Sequence, residues 1–137
     1  MATTSVSADI ATKINVTARK GDSFYLQATL TNEDDTVFDL TDYETISLKI
    51  TNSNGSLIKE FKNTGTASAD TEIVKNNKIS KDNTLGTITI DVPAITSLQN
   101  TDYINMNLLV GTYDYTLKIN SSTDVHTVMY GKFKSID

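Results

Sequence analysis

Residues 20–43 read KGDSFYLQATLTNEDDTVFDLTDY and contain the clearest strand signal of the chain. From Phe24 to Thr31, apolar side chains alternate with Tyr, Gln and Thr. A period of two indicates a half-buried strand, because successive side chains of a strand point to opposite faces of a sheet. A polar turn follows at residues 32–35 and a short apolar run at residues 37–40. The stretch therefore predicts a strand, a tight turn and a returning segment.

The same alternation recurs on both sides of this stretch. It predicts further strands at residues 14–18, 45–51, 57–61, 86–92, 113–119 and 125–133. Between two of them, Asn54-Gly55 predicts a hairpin with a type I′ turn, which needs positive φ at both central residues. Short strands separated by turns predict an all-β fold, namely an immunoglobulin-like antiparallel β-sandwich of about seven to nine strands.

Three segments depart from the pattern. Residues 1–11 are small and polar and predict a flexible N-terminal arm, which leaves residues 12–137 as a single β-sandwich domain. Residues 62–84 are polar, with few apolar anchors, and predict a long loop that has room for one short strand. Pro93 opens a segment in which Ile95 and Leu98 are three residues apart, so we predict one short helical connection near residues 93–100.

The composition disfavours several classes of protein. The 137 residues include no Cys, so the core is built without disulfides or cysteine metal sites. With 12 basic and 17 acidic residues, the net charge is −5, which disfavours a nucleic-acid partner bound through its phosphates. The N-terminus lacks the regions of a secretory signal, and no apolar run is long enough to span a bilayer. We expect no nucleic acid and no membrane as partner.

An acidic cluster surrounds the turn after the first clear strand. Carboxylate oxygens are the ligands that Ca²⁺ prefers, but the spacing matches no EF-hand loop. Asp is also a preferred turn residue, because its side chain bonds the backbone locally. We therefore interpret the cluster as a solvated turn and predict no metal site there. Its members are Glu33, Asp34, Asp35, Asp39 and Asp42.

His126 is the only histidine and lies in the last predicted strand. Alternation there places Met129 and Phe133 on one face and His126 with Tyr130 on the other. A catalytic triad needs a nucleophile, a base and an orienting group, and no nucleophile motif surrounds any Ser or Asp of the chain. We predict a structural histidine and no enzyme, with no catalytic, cofactor-binding or metal-binding residue. A hydrolase that uses a pair of carboxylates is the remaining alternative.

Tyr113 and Tyr115 stand at the start of a late strand. A Tyr two residues before a core position is typical of the tyrosine corner of immunoglobulin-like sandwiches, in which the hydroxyl bonds a backbone group. Tyr115 would then occupy the core position and Tyr113 the corner. The alternative is that both are ordinary core aromatics of an alternating strand.

Four other tyrosines are candidates for surface contact with sugars or proteins. Tyrosine is enriched at interfaces because its ring offers a large, stiff and amphipathic area. Ordinary burial is the alternative for most of them. They are Tyr25, Tyr43, Tyr103 and Tyr130.

Five short motifs occur in order along the chain. They are Lys20-Gly21-Asp22-x-Phe24, Ala28-Thr29-Leu30, Asp39-Leu40-Thr41-x-Tyr43, Gly111-Thr112-Tyr113-x-Tyr115 and Gly131-Lys132-Phe133. In order and spacing they resemble the N-terminal domain of phage baseplate upper proteins. The resemblance extends from Ile14 to Asp137, with residues 62–105 contributing little. It implies an immunoglobulin-like virion protein.

The chain departs from that family at two turns and in length. The family often has Asp-Gly in the acidic turn and Thr-Gly before the Tyr, where this chain has Asp34-Asp35 and Thr41-Asp42. Asp tolerates left-handed backbone, so we expect the turns to be kept. In the family this domain usually anchors a longer chain, whereas this sequence stops at Asp137, so we expect a self-contained virion module.

The resemblance therefore predicts a structural bacteriophage virion protein without a cofactor, assembled in the host cytoplasm. It would dock on the capsid, as a decoration or auxiliary head protein, or on the tail or baseplate as an adaptor. The expected partners are other virion proteins, either the major capsid protein or tail and baseplate subunits, together with further copies of itself. The alternative is a carbohydrate-binding adhesion module that uses the tyrosines and the acidic loop. We expect the working surface at the N-terminal arm and the 62–84 loop.

Overall fold

The computed structural model describes residues 2–7, 11–65, 73–92 and 108–137. All regular structure in these ranges is β-strand. In chain order the strands are β1 (Ala2–Ser7), β2 (Thr12–Lys13), β3 (Val16–Arg19), β4 (Phe24–Thr31), β5 (Thr45–Thr51), β6 (Leu57–Lys62), β7 (Val74–Lys75), β8 (Ile79–Asp82), β9 (Thr87–Val92), β10 (Gly111–Asn120) and β11 (Val125–Ile136).

The strands form two sheets. The first has the order β1-β4-β9-β8, and the second has the order β2-β11-β10-β5-β6-β7, with β3 also paired to β11. Five of the nine pairings in the described ranges are antiparallel. The four parallel ones are β1 on β4, β2 and β3 on β11, and β7 on β6. The order β4-β9-β8 opposite β11-β10-β5-β6 matches the B-E-D and G-F-C-C′ arrangement of immunoglobulin-type sandwiches.

The core lies between the two sheets and follows the alternation seen in the sequence. In β4, Phe24, Leu26, Ala28 and Leu30 are buried, and the residues between them are half-buried. The opposite sheet contributes Tyr115, Leu117, Ile119 and Phe133, all buried. These residues form one hydrophobic cluster with the apolar face of the first sheet. The prediction of an all-β sandwich is confirmed.

The strand count exceeds the predicted seven to nine, because eleven strands lie in the described ranges and several are very short. The single strand predicted at residues 14–18 is divided into β2 and β3. Between them, Ile14 donates its N–H to the carbonyl of Tyr130 at 2.8 Å, and the Asn15 side chain accepts the N–H of Lys132 at 3.0 Å. The local break allows both short strands to pair with β11.

Part of the predicted arm is a strand. Ala2–Ser7 pair in parallel with Leu26–Thr31, residue for residue, and add an edge strand to the first sheet. The segment contains two Thr and one Val, whose branched side chains suit a pleated surface. The free edge of β4 supplies the backbone partners that a polar segment needs to become ordered.

Two other expectations concern the middle of the chain. The predicted long loop at residues 62–84 contains β7 and β8, because Val74-Lys75 pair with β6 and Ile79–Asp82 pair with β9. The helical connection predicted near residues 93–100 lies outside the described residues and is not borne out, and the described residues contain no helix.

The predicted hairpin at Asn54-Gly55 is present, but the turn is not type I′. Gly55 has φ 82°, whereas Asn54 is not among the described non-glycine residues with positive φ. The Asn52 carboxamide explains the difference, since it accepts the N–H groups of Asn54 and Ser56, both at 3.0 Å. The side-chain cap stabilises a longer, five-residue connection between β5 and β6.

Candidate functional site: the loop end of the sandwich

Two connections leave the second sheet side by side. In register, Asn120 pairs with Thr45 on one side and with Val125 on the other. The connection between β4 and β5, which ends at Thr45, therefore lies beside the turn that follows Asn120. Together they enclose a polar cleft of about 420 Å³. We call this surface the loop end, and it is formed by Asp42, Tyr43, Glu44, Thr45, Asn120, Ser121, Ser122, Thr123 and Asp124.

Hydrogen bonds to acidic side chains stabilise the connection between β4 and β5. Asp34 accepts the N–H of Thr36 at 3.2 Å and its hydroxyl at 2.5 Å. Asp39 accepts the same pair of groups from Thr41, at 2.9 and 2.5 Å. These bonds favour the charged carboxylates and hold the pKa of both Asp34 and Asp39 below the usual 3.8. These two acidic residues act as turn caps.

Asp35 adopts left-handed backbone, with φ 65°. It takes the position at which the family that the sequence resembles often has Gly, and the turn is kept, as expected. The acidic cluster does not converge, since the described residues include no group of three or more His, Asp or Glu side chains placed to hold a metal ion.

Tyr43 links the loop to the sheet through two ring contacts. Its ring centroid lies 5.3 Å from that of Phe38 and 5.7 Å from that of His126, the latter edge-to-face. Burial raises the pKa of Tyr43, and the carboxylates of Asp124 and Asp42 raise it further, because both disfavour the phenolate. These contacts pack the connection between β4 and β5 against β11.

The sequence assigned His126 to the wrong face of its strand. The register between β10 and β11 shifts, so that Leu117 pairs with Met129 while Lys118 pairs with Thr127, which leaves Val128 without an opposite residue. This extra residue is a β-bulge, and it reverses the alternation on either side of it. His126 therefore lies opposite buried Ile119 and contacts Tyr43.

The tyrosine corner is present. Tyr113 donates its hydroxyl to the carbonyl of Leu109 at 2.8 Å, four residues upstream. Tyr115 takes the core position and is 2% exposed, with its ring edge-to-face against Phe133 at 6.3 Å. Its hydroxyl donates to the carbonyl oxygen of Ile14. Burial strongly raises the pKa of Tyr115.

The four remaining tyrosines have different surroundings. Tyr130 is 41% exposed on the outer face of β11, so it is available for contact. Tyr25 and Tyr43 are half-buried, and Tyr103 lies outside the described residues. No ring contact joins the three that lie within the described ranges, since the ring neighbours of Tyr43 are Phe38 and His126.

Sequence reasoning identified the acidic loop but not the cleft. Asp42 and Glu44 are about eighty positions from Asp124, and only the pairing of Asn120 with Thr45 brings the two connections together. The cleft presents three exposed carboxylates beside the Ser121–Thr123 hydroxyls. Such a surface can accept hydrogen bonds from hydroxyl groups, ammonium groups or guanidinium groups.

Comparison with known proteins gives a match in fold only. No protein-family model matches the chain, and no curated protein does. Among solved structures, the N-terminal domain of phage TP901-1 ORF48 is similar over 100% of both chains, with TM-score 0.56 and 11% identity. The motif resemblance to phage domains thus has a counterpart in fold, although membership of a family is not shown.

Two further solved structures show weaker similarity. CopC from Methylosinus trichosporium OB3b has TM-score 0.30 and 18% identity over 67% of this chain and 64% of its own. The ZIG-8 IG1 homodimer has TM-score 0.33 and 15% identity over 89% and 79%. Neither similarity is close enough to carry an argument about this protein.

Proposed function

We propose that this protein is a structural module of a bacteriophage virion, and that it contributes binding surfaces and no catalysis. The observation that carries the proposal is the match of the whole chain to the N-terminal domain of a phage protein, with TM-score 0.56. The five motifs noted in the sequence, which resemble baseplate upper proteins, support it independently. The tyrosine corner lies within one of those motifs.

Within the virion, we place the protein in the tail or baseplate. The motif resemblance concerns a baseplate domain, whereas none of the three solved structures named above supports a role as capsid decoration. The partners would be other tail or baseplate subunits.

The loop end is our candidate contact surface for such a subunit. Asp42, Glu44 and Asp124 are exposed there, and the chain has a net charge of −5. A partner that presents Lys or Arg side chains would gain both attraction and faster association, which is the usual effect of complementary charge. The contact should weaken as salt concentration rises.

Immunogold electron microscopy of intact virions tests the location. Antibodies against the purified protein should label the distal end of the tail, and virions from a phage lacking the gene serve as the control. Labelling of the head would overturn the tail assignment, and failure to label both intact and partly disassembled virions would overturn the proposal.

A second candidate function is carbohydrate binding. The cleft favours it, because carboxylates, hydroxyls and the Asn120 amide beside Tyr43 are groups that bind sugar hydroxyls. A glycan array with and without Ca²⁺ separates the two functions. Glycan binding that is lost in Asp42→Asn and Asp124→Asn would favour carbohydrate binding as the function. Absence of glycan binding both with and without Ca²⁺ would reject it.

A further inference from the structure

The outer edge of β1 differs from the other sheet edges that the described ranges contain. β1 is the first strand in the order of its sheet, and no strand of the described ranges pairs with its second edge. A strand in this position has a row of backbone N–H and C=O groups that can pair with another chain.

Most proteins protect such edges with charged residues, Pro or bulges. The other edge strands in the described ranges follow this rule, because each contains a charge. β2 has Lys13, β3 has Arg19, β7 has Lys75, and β8 has Lys81 and Asp82. β1 has the sequence ATTSVS, with no charged residue, no Pro and no Gly. It also pairs with β4 without a register shift, so no bulge turns it away.

We propose that the outer edge of β1 is an assembly edge, on which β1 of a second copy of this chain pairs in antiparallel orientation. Antiparallel pairing of one strand with itself is compatible with a two-fold axis, so the contact needs no second surface and closes as a dimer. Two four-stranded sheets then become one eight-stranded sheet.

The charges of the molecule favour a second copy at this edge over other edges. Each copy has a net charge of −5, so two copies repel each other in most orientations. Six uncharged residues allow the two chains to approach without placing like charges opposite one another, which would be destabilising in a sheet. The proposal concerns the isolated chain and does not depend on the role in a virion.

Sedimentation analysis of the purified full-length protein over a wide concentration range tests the proposal. The wild type should show a monomer–dimer equilibrium that moves toward dimer as concentration rises. Thr4→Lys/Ser5→Lys places charges near the two-fold axis and should weaken dimerisation at least tenfold. Ser80→Lys/Thr112→Lys adds the same two charges at exposed positions elsewhere, including β8, and should leave the equilibrium unchanged.

Single cysteines locate the contact, because the natural chain has none. Oxidation of Thr4→Cys or Ser5→Cys should give a disulfide-linked dimer, whereas Ser80→Cys on the opposite edge of the same sheet should remain monomeric. Three results would overturn the proposal. They are a wild type that stays monomeric at all concentrations, a dimer that both lysine pairs affect equally, and cross-linking at Ser80 that matches that at β1.

Discussion

The phenolic hydroxyl of Tyr115 donates a hydrogen bond to the carbonyl oxygen of Ile14, which lies 101 residues earlier in the chain. The bond therefore connects the middle of β10 to the residues between β2 and β3. It crosses the buried side of β11, which lies between them. Ile14 also donates its N–H to Tyr130, so both of its backbone groups are satisfied at this point. The N-terminal strands of the second sheet are thereby fixed to the centre of the sandwich.

Tyr115→Phe should destabilise the protein by about 1–2 kcal/mol, because the change removes a hydrogen bond that a buried side chain makes to a backbone carbonyl. Urea unfolding measures the difference. Tyr113→Phe is the matched control, since its hydroxyl bonds Leu109 at an exposed position and its loss should cost less than about 1 kcal/mol. Equal losses of unfolding free energy in the two variants would show that the bond to Ile14 contributes no more than the exposed bond to Leu109.

Gly131→Ala should cost about 1–3 kcal/mol, a range typical of forced overpacking. A Cβ at Gly131 would overlap the carbonyl oxygen of Ile14, which is backbone and cannot rotate away. Gly111→Ala is the control, because the atoms nearest to its Cβ would be those of Tyr113 at 3.8–3.9 Å, an ordinary contact. Thermal unfolding of both variants should show a clear loss at Gly131 and little change at Gly111.

The pKa values of Asp34 and Asp39 should lie below 3.8 when measured by carboxyl NMR titration. A depressed pKa in the folded state stabilises the fold above the unfolded pKa. That contribution should be lost as the pH falls below 3.8 through the lowered values. Thr36→Val removes the hydroxyl donor to Asp34 and should return its pKa toward 3.8 while Asp39 stays unchanged. A value for Asp34 that does not respond to Thr36→Val would contradict this assignment.

Tyr43 and His126 should be coupled energetically, although the sequence pattern placed His126 on the opposite face. A double-mutant cycle with Tyr43→Ala and His126→Ala should give an interaction energy of about 0.5–1.5 kcal/mol, as for other edge-to-face pairs. Tyr43→Ala with Tyr130→Ala is the control cycle, since Tyr130 lies on the outer face of the sheet. An interaction energy near zero for the first cycle would mean that the ring contact does not hold the loop.

The sequence predicted those parts of the fold that depend on local alternation. The residues of β4 alternate without interruption, and their burial follows the predicted pattern from Phe24 to Thr31. The acidic turn was also predictable, because Asp34 and Asp39 bond groups only two residues away. The tyrosine corner is equally local, with a bond that spans four residues.

The features that were missed depend on long-range pairing. The bulge at Val128 is set by the register of β11 on β10, and nothing in the residues around Val128 marks it. The strand at Ala2–Ser7 depends on the free edge of β4, about two dozen residues away. The cleft at the loop end likewise depends on the pairing of Thr45 with Asn120. Such features become visible only when the strands are assembled.

Quantitative mass spectrometry of purified virions tests the assignment to a phage virion most directly. Virions would be isolated by density gradient and washed in high salt, with a phage lacking the gene as control. We predict that peptides of this protein are present at a constant ratio to the tail subunits and stay with tails after heads and tails are separated. Absence of these peptides from infectious, purified virions would contradict the assignment.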